Sequence, residues 1–181
     1  MCSYAQWVHI NPGTTDFMGD IDFVTEQIGY VEDWDNGMLW ATSNGGASWT
    51  QLFNTPYLGY INFLTPDTGY GCSIYGLYRT IDGGHFWNPV IVDSSIIWWS
   101  RPYFFNLGIG ITVQSGGLFP DSIYTYKTLD SGSTWNIISS FRDSIGIQVN
   151  DLFFADTSVG YMMTFGRIYK TMNGGINWNI I

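Results

Sequence analysis

The segment Thr80-Ile81-Asp82-Gly83-Gly84-His85-Phe86-Trp87 occurs four times, with small changes, in this chain of 181 residues. The other copies occupy 42–49, 128–135 and 171–178, and each keeps Thr, then Asp or Asn, then Gly or Ser, then Gly, and finally Trp. The first and last Trp are 129 residues apart over three intervals, a mean period of 43. Periods of roughly 40 to 50 residues are typical of four-stranded propeller blades. This repeat, the box, therefore predicts an all-β propeller.

A second signature precedes each box: a Phe is followed six residues later by Gly and then by an aromatic or aliphatic residue. It pairs Phe23 with Gly29, Phe63 with Gly69, Phe104 with Gly110, and Phe154 with Gly160. Each repeat thus divides into four short segments that are rich in aromatic and β-branched residues and separated by turns containing Gly, which is typical of antiparallel strands. In the second repeat we expect strands at 60–64, 69–74, 76–81 and 86–91.

The residues of the box have a mechanical interpretation as a turn between the third and fourth strands. Asn-Gly and Asp-Gly favour the positive φ angles of a tight hairpin, and the Asp or Asn side chain can accept hydrogen bonds from backbone N–H groups of its own loop. We expect the Trp to open the fourth strand and to fill the space between neighbouring sheets. The residues with these predicted structural roles are Asn44, Trp49, Asp82, Trp87, Asp130, Trp135, Asn173 and Trp178.

The boxes resemble Asp-box repeats, also called bacterial neuraminidase repeats. Their combination with the Phe-Gly-Tyr signature is similar to the repeat of the photosystem II assembly and stability factor propellers. The resemblance covers nearly the whole chain and is closest over 63–87 and 154–178. It implies a propeller of about six or seven blades in which the boxes are structural and lie away from the functional centre.

We expect one propeller domain over 1–181, with repeats at about 19–53, 60–92, 102–139 and 149–181. A Trp followed three residues later by Ile, Leu or Val also occurs at 7–10, which predicts an orphan fourth strand at 6–10. The simplest explanation is that the chain is part of a larger propeller. The alternatives are a closed four-bladed ring with a spare edge strand and self-association through open blade edges.

Composition and charge restrict the expected partners. Aromatic residues make up 18% of the chain, charged residues 12%, and the formal net charge is −9. Because an acidic surface repels phosphate groups, we expect no nucleic acid partner and no anionic lipid partner. The longest apolar runs are too short for membrane insertion.

Few motifs point to bound groups or to a cellular location. Cys2 and Cys72 are too few for a disulfide framework or a metal site. Phosphate loops, zinc spacings and nucleophile elbows are absent from the sequence, so we predict no metal and no cofactor. Ser3-Tyr4-Ala5 fits a signal-peptidase site, from which we expect an exported protein that is periplasmic, at the cell surface or extracellular.

Propeller geometry indicates where a functional site would lie. With antiparallel strands, the boxes share one face with the turns between first and second strands, and the turns between second and third strands share the opposite face with the connections between blades. This opposite face, the connector face, collects long irregular segments in which binding residues concentrate. The candidate binding residues are Trp34, Asp35, Tyr75, Trp98, Trp99, Arg101, Phe119, Arg142 and Phe165. Because Trp98 and Trp99 are adjacent, we expect one of them to be a core residue.

Two classes of function remain. The first is a non-catalytic recognition module that binds a protein or a glycan on the connector face through aromatic and acidic residues. The alternative is a glycoside hydrolase similar to sialidases, which would need three arginines converging on a carboxylate. The chain has four arginines, none of them in the first repeat, so we expect the first class and no catalytic residues.

Overall fold

The computed structural model describes residues 13–14, 17–53, 55–92, 97–116, 121–143, 145 and 148–181. Over these residues the chain forms strands joined by turns and loops, and it contains no helix that could cross a membrane. The predicted orphan strand at 6–10, the signal-peptidase pattern at 3–5, Cys2 and Phe119 lie outside the described residues.

Four antiparallel sheets follow one another along the chain, and their strands are arranged in sequential order. Blade 1 consists of β1 (Met18–Phe23), β2 (Gly29–Asp33), β3 (Leu39–Thr42) and β4 (Thr50–Leu52). Blade 2 consists of β5 (Tyr60–Phe63), β6 (Gly69–Ser73), β7 (Gly76–Thr80) and β8 (Asn88–Val92). Blade 3 consists of β9 (Ile97–Trp99), β10 (Tyr103–Phe104), β11 (Gly110–Gly116), β12 (Ser122–Thr128) and β13 (Asn136–Arg142). Blade 4 consists of β14 (Val149–Phe154), β15 (Gly160–Thr164), β16 (Arg167–Thr171) and β17 (Asn179–Ile180). The predicted all-β propeller of four-stranded antiparallel blades is confirmed.

Consecutive blades pack mainly through their first strands. Strand β1 contacts β5, β9 contacts β6 and β7, and β14 contacts β9, β10 and β11. Each of the three buried hydrophobic clusters in the described part of the chain lies between two consecutive blades. Among the described residues, no strand contact of similar extent joins blade 4 to blade 1.

Blade 3 departs from the other three because its innermost strand is split. Strands β9 and β10 both pair with β11, with Trp98 opposite Ser115 and Trp99 opposite Gln114. The sequence predicted these two tryptophans among the irregular segments of the connector face, whereas they extend the inner strand of a sheet. Trp99 is the core residue expected of the pair, because only 3% of its surface is exposed. The extension is possible because β11 and β12 are longer than their counterparts, so their ends offer an additional pairing partner.

The Phe-Gly signature is a packing unit in every blade. A Cβ atom added to Gly29, Gly69, Gly110 or Gly160 would lie 2.5 to 2.7 Å from a carbon of the preceding signature Phe ring. The same Phe rings meet the box Trp of their own blade edge to face, with centroids 5.8 to 6.1 Å apart. The Gly is therefore required because the Phe ring lies directly on the neighbouring strand, where it supports the Trp.

All four boxes form the same hydrogen-bonded loop. In the second box, Thr80 Oγ1 donates to Asp82 Oδ1 at 2.8 Å and accepts from Gly84 N at 2.9 Å, while Asp82 Oδ1 also accepts from Phe86 N at 2.9 Å. The other boxes repeat these three bonds at 2.8 to 3.0 Å. Positive φ angles occur at the two residues after the Asp or Asn, and Ser131, with φ of 57°, takes the place of the first Gly in the third box.

The fourth strand of each blade begins one residue after the box Trp, at Thr50, Asn88, Asn136 or Asn179, whereas the sequence predicted a start at the Trp itself. The difference arises because the Trp belongs to the loop. Trp87 Nε1 donates to Gly84 O at 3.1 Å, and Trp135 Nε1 donates to Gly132 O at 3.2 Å.

The boxes and the turns between second and third strands lie on opposite faces of the propeller, as the antiparallel strand order predicts. On the box face, each box donates a backbone N–H to the turn between the first and second strands, as from Gly83 to Asp67 O at 2.9 Å. On the connector face, the turns between second and third strands donate to residues next to the first strand. Trp34 N donates to Phe17 O at 2.8 Å, and Phe165 N donates to Gln148 O at 3.0 Å.

Replacing Gly69 by Ala should lower the free energy of unfolding by about 1 to 3 kcal/mol, because the new methyl group overlaps the Phe63 ring. Gly59 provides a matched control, since a Cβ there would meet only Cys72 O at 3.8 Å. Urea unfolding of both variants measures the difference. Equal stability of the two variants would mean that the Phe ring moves aside easily and that the signature has no steric origin.

Candidate functional site

An apolar pocket of about 260 Å³ opens on the connector face. Its walls come from four blades: Trp34 follows β2, Leu58 precedes β5, Trp99 ends β9, and Gln148 precedes β14. The remaining wall includes Tyr57 and the turn residue Ile74. The pocket therefore exists only in the assembled propeller, where one connection or turn from each blade contributes to it.

Trp34 is held in a fixed position at the mouth of this pocket. The hydroxyl of Tyr57 donates to the carbonyl oxygens of Trp34 at 2.6 Å and Asp35 at 2.7 Å. The Asp35 carboxylate accepts from Phe17 N at 3.3 Å. Gly37, with φ of 64°, allows the turn to pass so close to Tyr57 that a Cβ would lie 2.6 Å from its ring. More than half of the Trp34 side chain is nevertheless exposed, so its ring is available to a ligand.

Trp99 forms a buried part of the pocket wall, with only 3% of its surface exposed. Its indole Nε1 is buried and finds no hydrogen-bond acceptor among the described residues. A buried N–H without an acceptor is destabilising. The neighbouring Cys72 thiol donates to Ser100 O at 3.3 Å, and burial raises its pKa well above the ordinary range, so it stays protonated.

A second, more polar cleft of about 710 Å³ lies between the inner strands of blades 2, 3 and 4. Tyr60, Asn62, Arg101, Asn150 and Asp151 contribute its polar groups. The Tyr60 hydroxyl donates to Asn150 O at 3.4 Å across the cleft, and Asn62 Oδ1 is buried without a hydrogen-bond partner. Arg101 forms an ion pair with Asp20 of blade 1 and so links the cleft to that blade.

Asp20 and Glu32 lie opposite each other on β1 and β2. Asp20 accepts from Ile61 N at 2.9 Å, and burial raises its pKa despite this bond and the nearby Arg101 charge. Glu32 is only 1% exposed, and neither of its carboxylate oxygens has a partner in the described structure. Burial, followed by the charges of Asp20 and Asp33, raises the pKa of Glu32 to about 8. Sequence reasoning missed Glu32 as a buried acid, although Tyr30, two residues earlier on the strand, faces the same interface between blades.

A further buried acid, Asp143, follows β13, and both of its carboxylate oxygens accept hydrogen bonds. Its carboxylate accepts from Arg167 Nη1 at 2.8 Å and also from the Tyr169 hydroxyl. Asp20 and Asp143 are therefore each neutralised by a different arginine and do not form a free carboxylate pair. Within the described residues, no cluster of three or more His, Cys, Asp or Glu side chains could hold a metal ion.

The structure brings together only part of the candidate set from the sequence. Trp34 and Trp99 line the connector-face pocket, Asp35 supports the turn at its mouth, and Arg101 lines the polar cleft between blades 2, 3 and 4. Tyr75 and Phe165 are exposed at turn tips outside both cavities, and Arg142 is exposed at the end of an outermost strand. Trp98 is described only by its strand pairing. Tyr57, Leu58 and Ile74 were missed because they lie outside the repeated motifs.

Comparison with known proteins identifies the fold. No protein-family model and no curated protein matches the chain. An ancestral GH74 enzyme superposes with a TM-score of 0.73 at 18% identity, over 99% of this chain and 26% of that chain. YCF48 bound to D1 peptide gives a TM-score of 0.56 at 17% identity, over 99% of this chain and 73% of that chain. The GH74 xyloglucanase from Xanthomonas campestris gives 0.64 at 18% identity, over 85% of this chain and 28% of that chain.

These similarities establish the propeller fold alone. At such low sequence identities, likeness in structure does not imply a shared activity. The chain spans about a quarter of the length of the two GH74 enzymes. The resemblance of its repeat to the photosystem II assembly factor propellers is reflected in the similarity to YCF48.

Proposed function

We propose that the chain is a non-catalytic recognition module that binds a segment of another protein in the connector-face pocket. The observation that carries this proposal is an apolar pocket with the exposed Trp34 at its mouth and the buried Trp99 in its wall. An apolar side chain would fill the pocket, and Ser73 and Gln148 are polar residues in its lining. Ligand sites typically combine apolar walls with a few such polar groups.

The size and chemistry of the pocket favour a peptide over a glycan. At about 260 Å³ it is smaller than the roughly 300 to 1,000 Å³ of most small-molecule sites, so it suits one anchoring side chain of a longer ligand. The net charge of −9 favours a neutral or basic segment. YCF48, which has the same fold, has been observed with a bound peptide. A glycan stacking on the exposed Trp34 ring is the alternative.

The arrangement of acids supports the non-catalytic part of the proposal. Hydrolysis of a glycosidic bond commonly requires two carboxyl groups that flank the bond. Among the described residues lining the connector-face pocket, none is acidic. Asp20 and Asp143 are bound to arginines, and Glu32 is too deeply buried to contact a substrate.

Panning a displayed library of random linear peptides on the immobilised chain tests the proposal. We expect enrichment of peptides with one large apolar anchor. Trp34→Ser should weaken the binding of an enriched synthetic peptide by about tenfold or more, because Trp34 supplies the rim of the pocket. Phe165→Ser is the matched control, since Phe165 is an exposed aromatic at the equivalent turn of blade 4 and should leave affinity unchanged.

Three results would contradict the proposal. Equal binding to the wild type and to Trp34→Ser would place the ligand elsewhere. Retention on a glycan array, with no peptide enriched, would favour the glycan alternative. Release of reducing sugar from xyloglucan, or turnover of a fluorogenic sialoside, would show that the chain is an enzyme.

A further inference from the structure

Aromatic side chains from three blades border the connector-face pocket. They are Trp34 of blade 1, Tyr57 and Tyr60 at the start of blade 2, and Trp99 of blade 3. The structure describes all four side chains, and no ring contact joins any two of them. Trp99 instead packs on Tyr126, with ring centroids 5.3 Å apart. The four rings therefore border the space of the pocket without closing it.

Two of these rings are accessible to a ligand and are held in place by the fold. The Trp34 side chain is 54% exposed and the Tyr57 side chain 55% exposed. The hydroxyl of Tyr57 donates to the carbonyl oxygens of Trp34 and Asp35, so the Tyr57 ring is tied to the backbone that carries Trp34. Groups that are ordered before binding lose less conformational entropy when a ligand arrives.

The charges next to the pocket are mainly negative. Asp33 and Asp35 flank Trp34 in the sequence, and neither forms an ion pair with another described residue. None of the described lining residues is Lys, Arg or His. Arg101 acts on the pocket wall at the buried thiol, but it is bound to Asp20, whose opposite charge acts on the same thiol. These surroundings favour a positively charged ligand group over an anionic one.

Aromatic walls in negative surroundings suit one class of cation in particular. The faces of Trp and Tyr rings attract positive charge, and aromatic cages of this kind bind quaternary ammonium groups. A primary ammonium is strongly hydrated, so its burial against apolar walls is costly. In a trimethylammonium group the charge lies beneath methyl groups, which can contact the apolar walls of a pocket of about 260 Å³ without losing hydrogen bonds to water.

We propose that the connector-face pocket binds the trimethylammonium group of a methylated lysine in the partner segment, with Trp34 and Tyr57 as the rings that contact it. This inference rests on the proposed function, because it specifies the anchor that the segment inserts. The methylene groups of the lysine supply the apolar part of that anchor and would pack on the half-exposed Ile74 in the lining.

Two peptides of equal shape and different charge test this inference on the wild-type chain. One is a capped Gly-Gly-X-Gly-Gly peptide with Nε-trimethyllysine at X. The other has carbon in place of the quaternary nitrogen, so that its side chain ends in a neutral tert-butyl group. We expect the charged peptide to bind at least about fivefold more tightly in NMR titrations, because only its side chain is attracted electrostatically to the rings. Equal or tighter binding of the neutral peptide would overturn the proposal.

Trp34→Leu separates the effect of the ring from that of its apolar surface. Leu retains an apolar side chain at the mouth of the pocket but has no aromatic face, so the ratio of the two affinities should fall toward one. Phe165→Leu is the matched control, since Phe165 is exposed at the equivalent turn of blade 4 and should leave the ratio unchanged. Thermal unfolding verifies that both variants fold. A ratio that Trp34→Leu leaves unchanged would place the cation elsewhere and overturn the proposal, and the wild-type comparison decides the question even if a variant does not fold.

The outcomes separate this inference from the proposed function. The displayed peptides contain no methylated lysine, so panning tests the proposed function alone. If an enriched apolar peptide bound in the pocket and the trimethyllysine peptide bound no better than its neutral counterpart, the proposed function would stand and this inference would fail. Choline carries the same trimethylammonium group without a peptide. Tighter binding of choline than of the trimethyllysine peptide would overturn the assignment to a protein side chain.

Discussion

Replacing Trp87 by Ala should lower the free energy of unfolding by about 3 to 5 kcal/mol, the range for losing a large buried aromatic side chain. The indole is buried between blades 1 and 2, meets the Phe63 ring edge to face at 5.9 Å, and donates Nε1 to Gly84 O at 3.1 Å. Phe63 in turn stacks on Tyr30. Removing the indole therefore leaves a cavity and also loosens the ring that holds the two blades together. Guanidinium unfolding followed by circular dichroism measures the loss.

Asp82→Asn is the control within the same box and should change stability by less than about 1 kcal/mol. Asn44 and Asn173 make the same three loop hydrogen bonds in their boxes as Asp82 makes in its own. Slight burial acts to raise the pKa of Asp82, but bonds from Phe86 N and the Thr80 hydroxyl outweigh it and lower the pKa overall. A loss from Asp82→Asn as large as that from Trp87→Ala would show that the carboxylate has a role beyond the turn.

The blade was predictable from the sequence because its determining contacts are local. Thr80 and Asp82 are two residues apart and form their bond inside one loop. Phe63 covers Gly69 across a single hairpin, so the spacing of the pair is nearly fixed by the turn that joins their strands. Contacts of this kind occur in every blade, so the residues that make them recur at regular intervals in the sequence.

The connector-face pocket could not be predicted in the same way. Trp34, Tyr57 and Trp99 come from three separate elements and meet only after the blades have packed. Tyr75 and Phe165 occupy turns equivalent to that of Trp34, yet they stand outside the pocket. Among the described turns between second and third strands, only that of Trp34 has its carbonyl oxygens bound by a tyrosine hydroxyl, that of Tyr57. The connections between blades differ in length and composition. The repeated motifs therefore do not indicate which of the aromatic residues at the turns becomes part of the pocket.

The free energy of unfolding of Glu32→Gln minus that of the wild type should increase with pH. We expect an increase of roughly 2 to 4 kcal/mol between about pH 5 and about pH 9. The pKa of Glu32 rises from 4.5 to about 8 in the folded chain, mainly because burial disfavours its charged form. The folded state therefore holds a proton that the unfolded state has already released. The contribution of Glu32 to wild-type stability therefore falls as pH rises from about 4.5 to about 8 and is constant above that range, whereas Gln does not titrate.

The informative quantity is the change with pH of the difference between the two proteins. Burying the Gln amide lowers the free energy of unfolding by the same amount at every pH, so it does not affect this change. The other titrating groups are present in both proteins, and their contributions cancel. Glu26→Gln makes the same substitution at an exposed site and should show no comparable growth. If the difference between wild type and Glu32→Gln were constant with pH, the pKa of Glu32 would be the same in the folded and unfolded chains, and its carboxylate would not be buried without a partner.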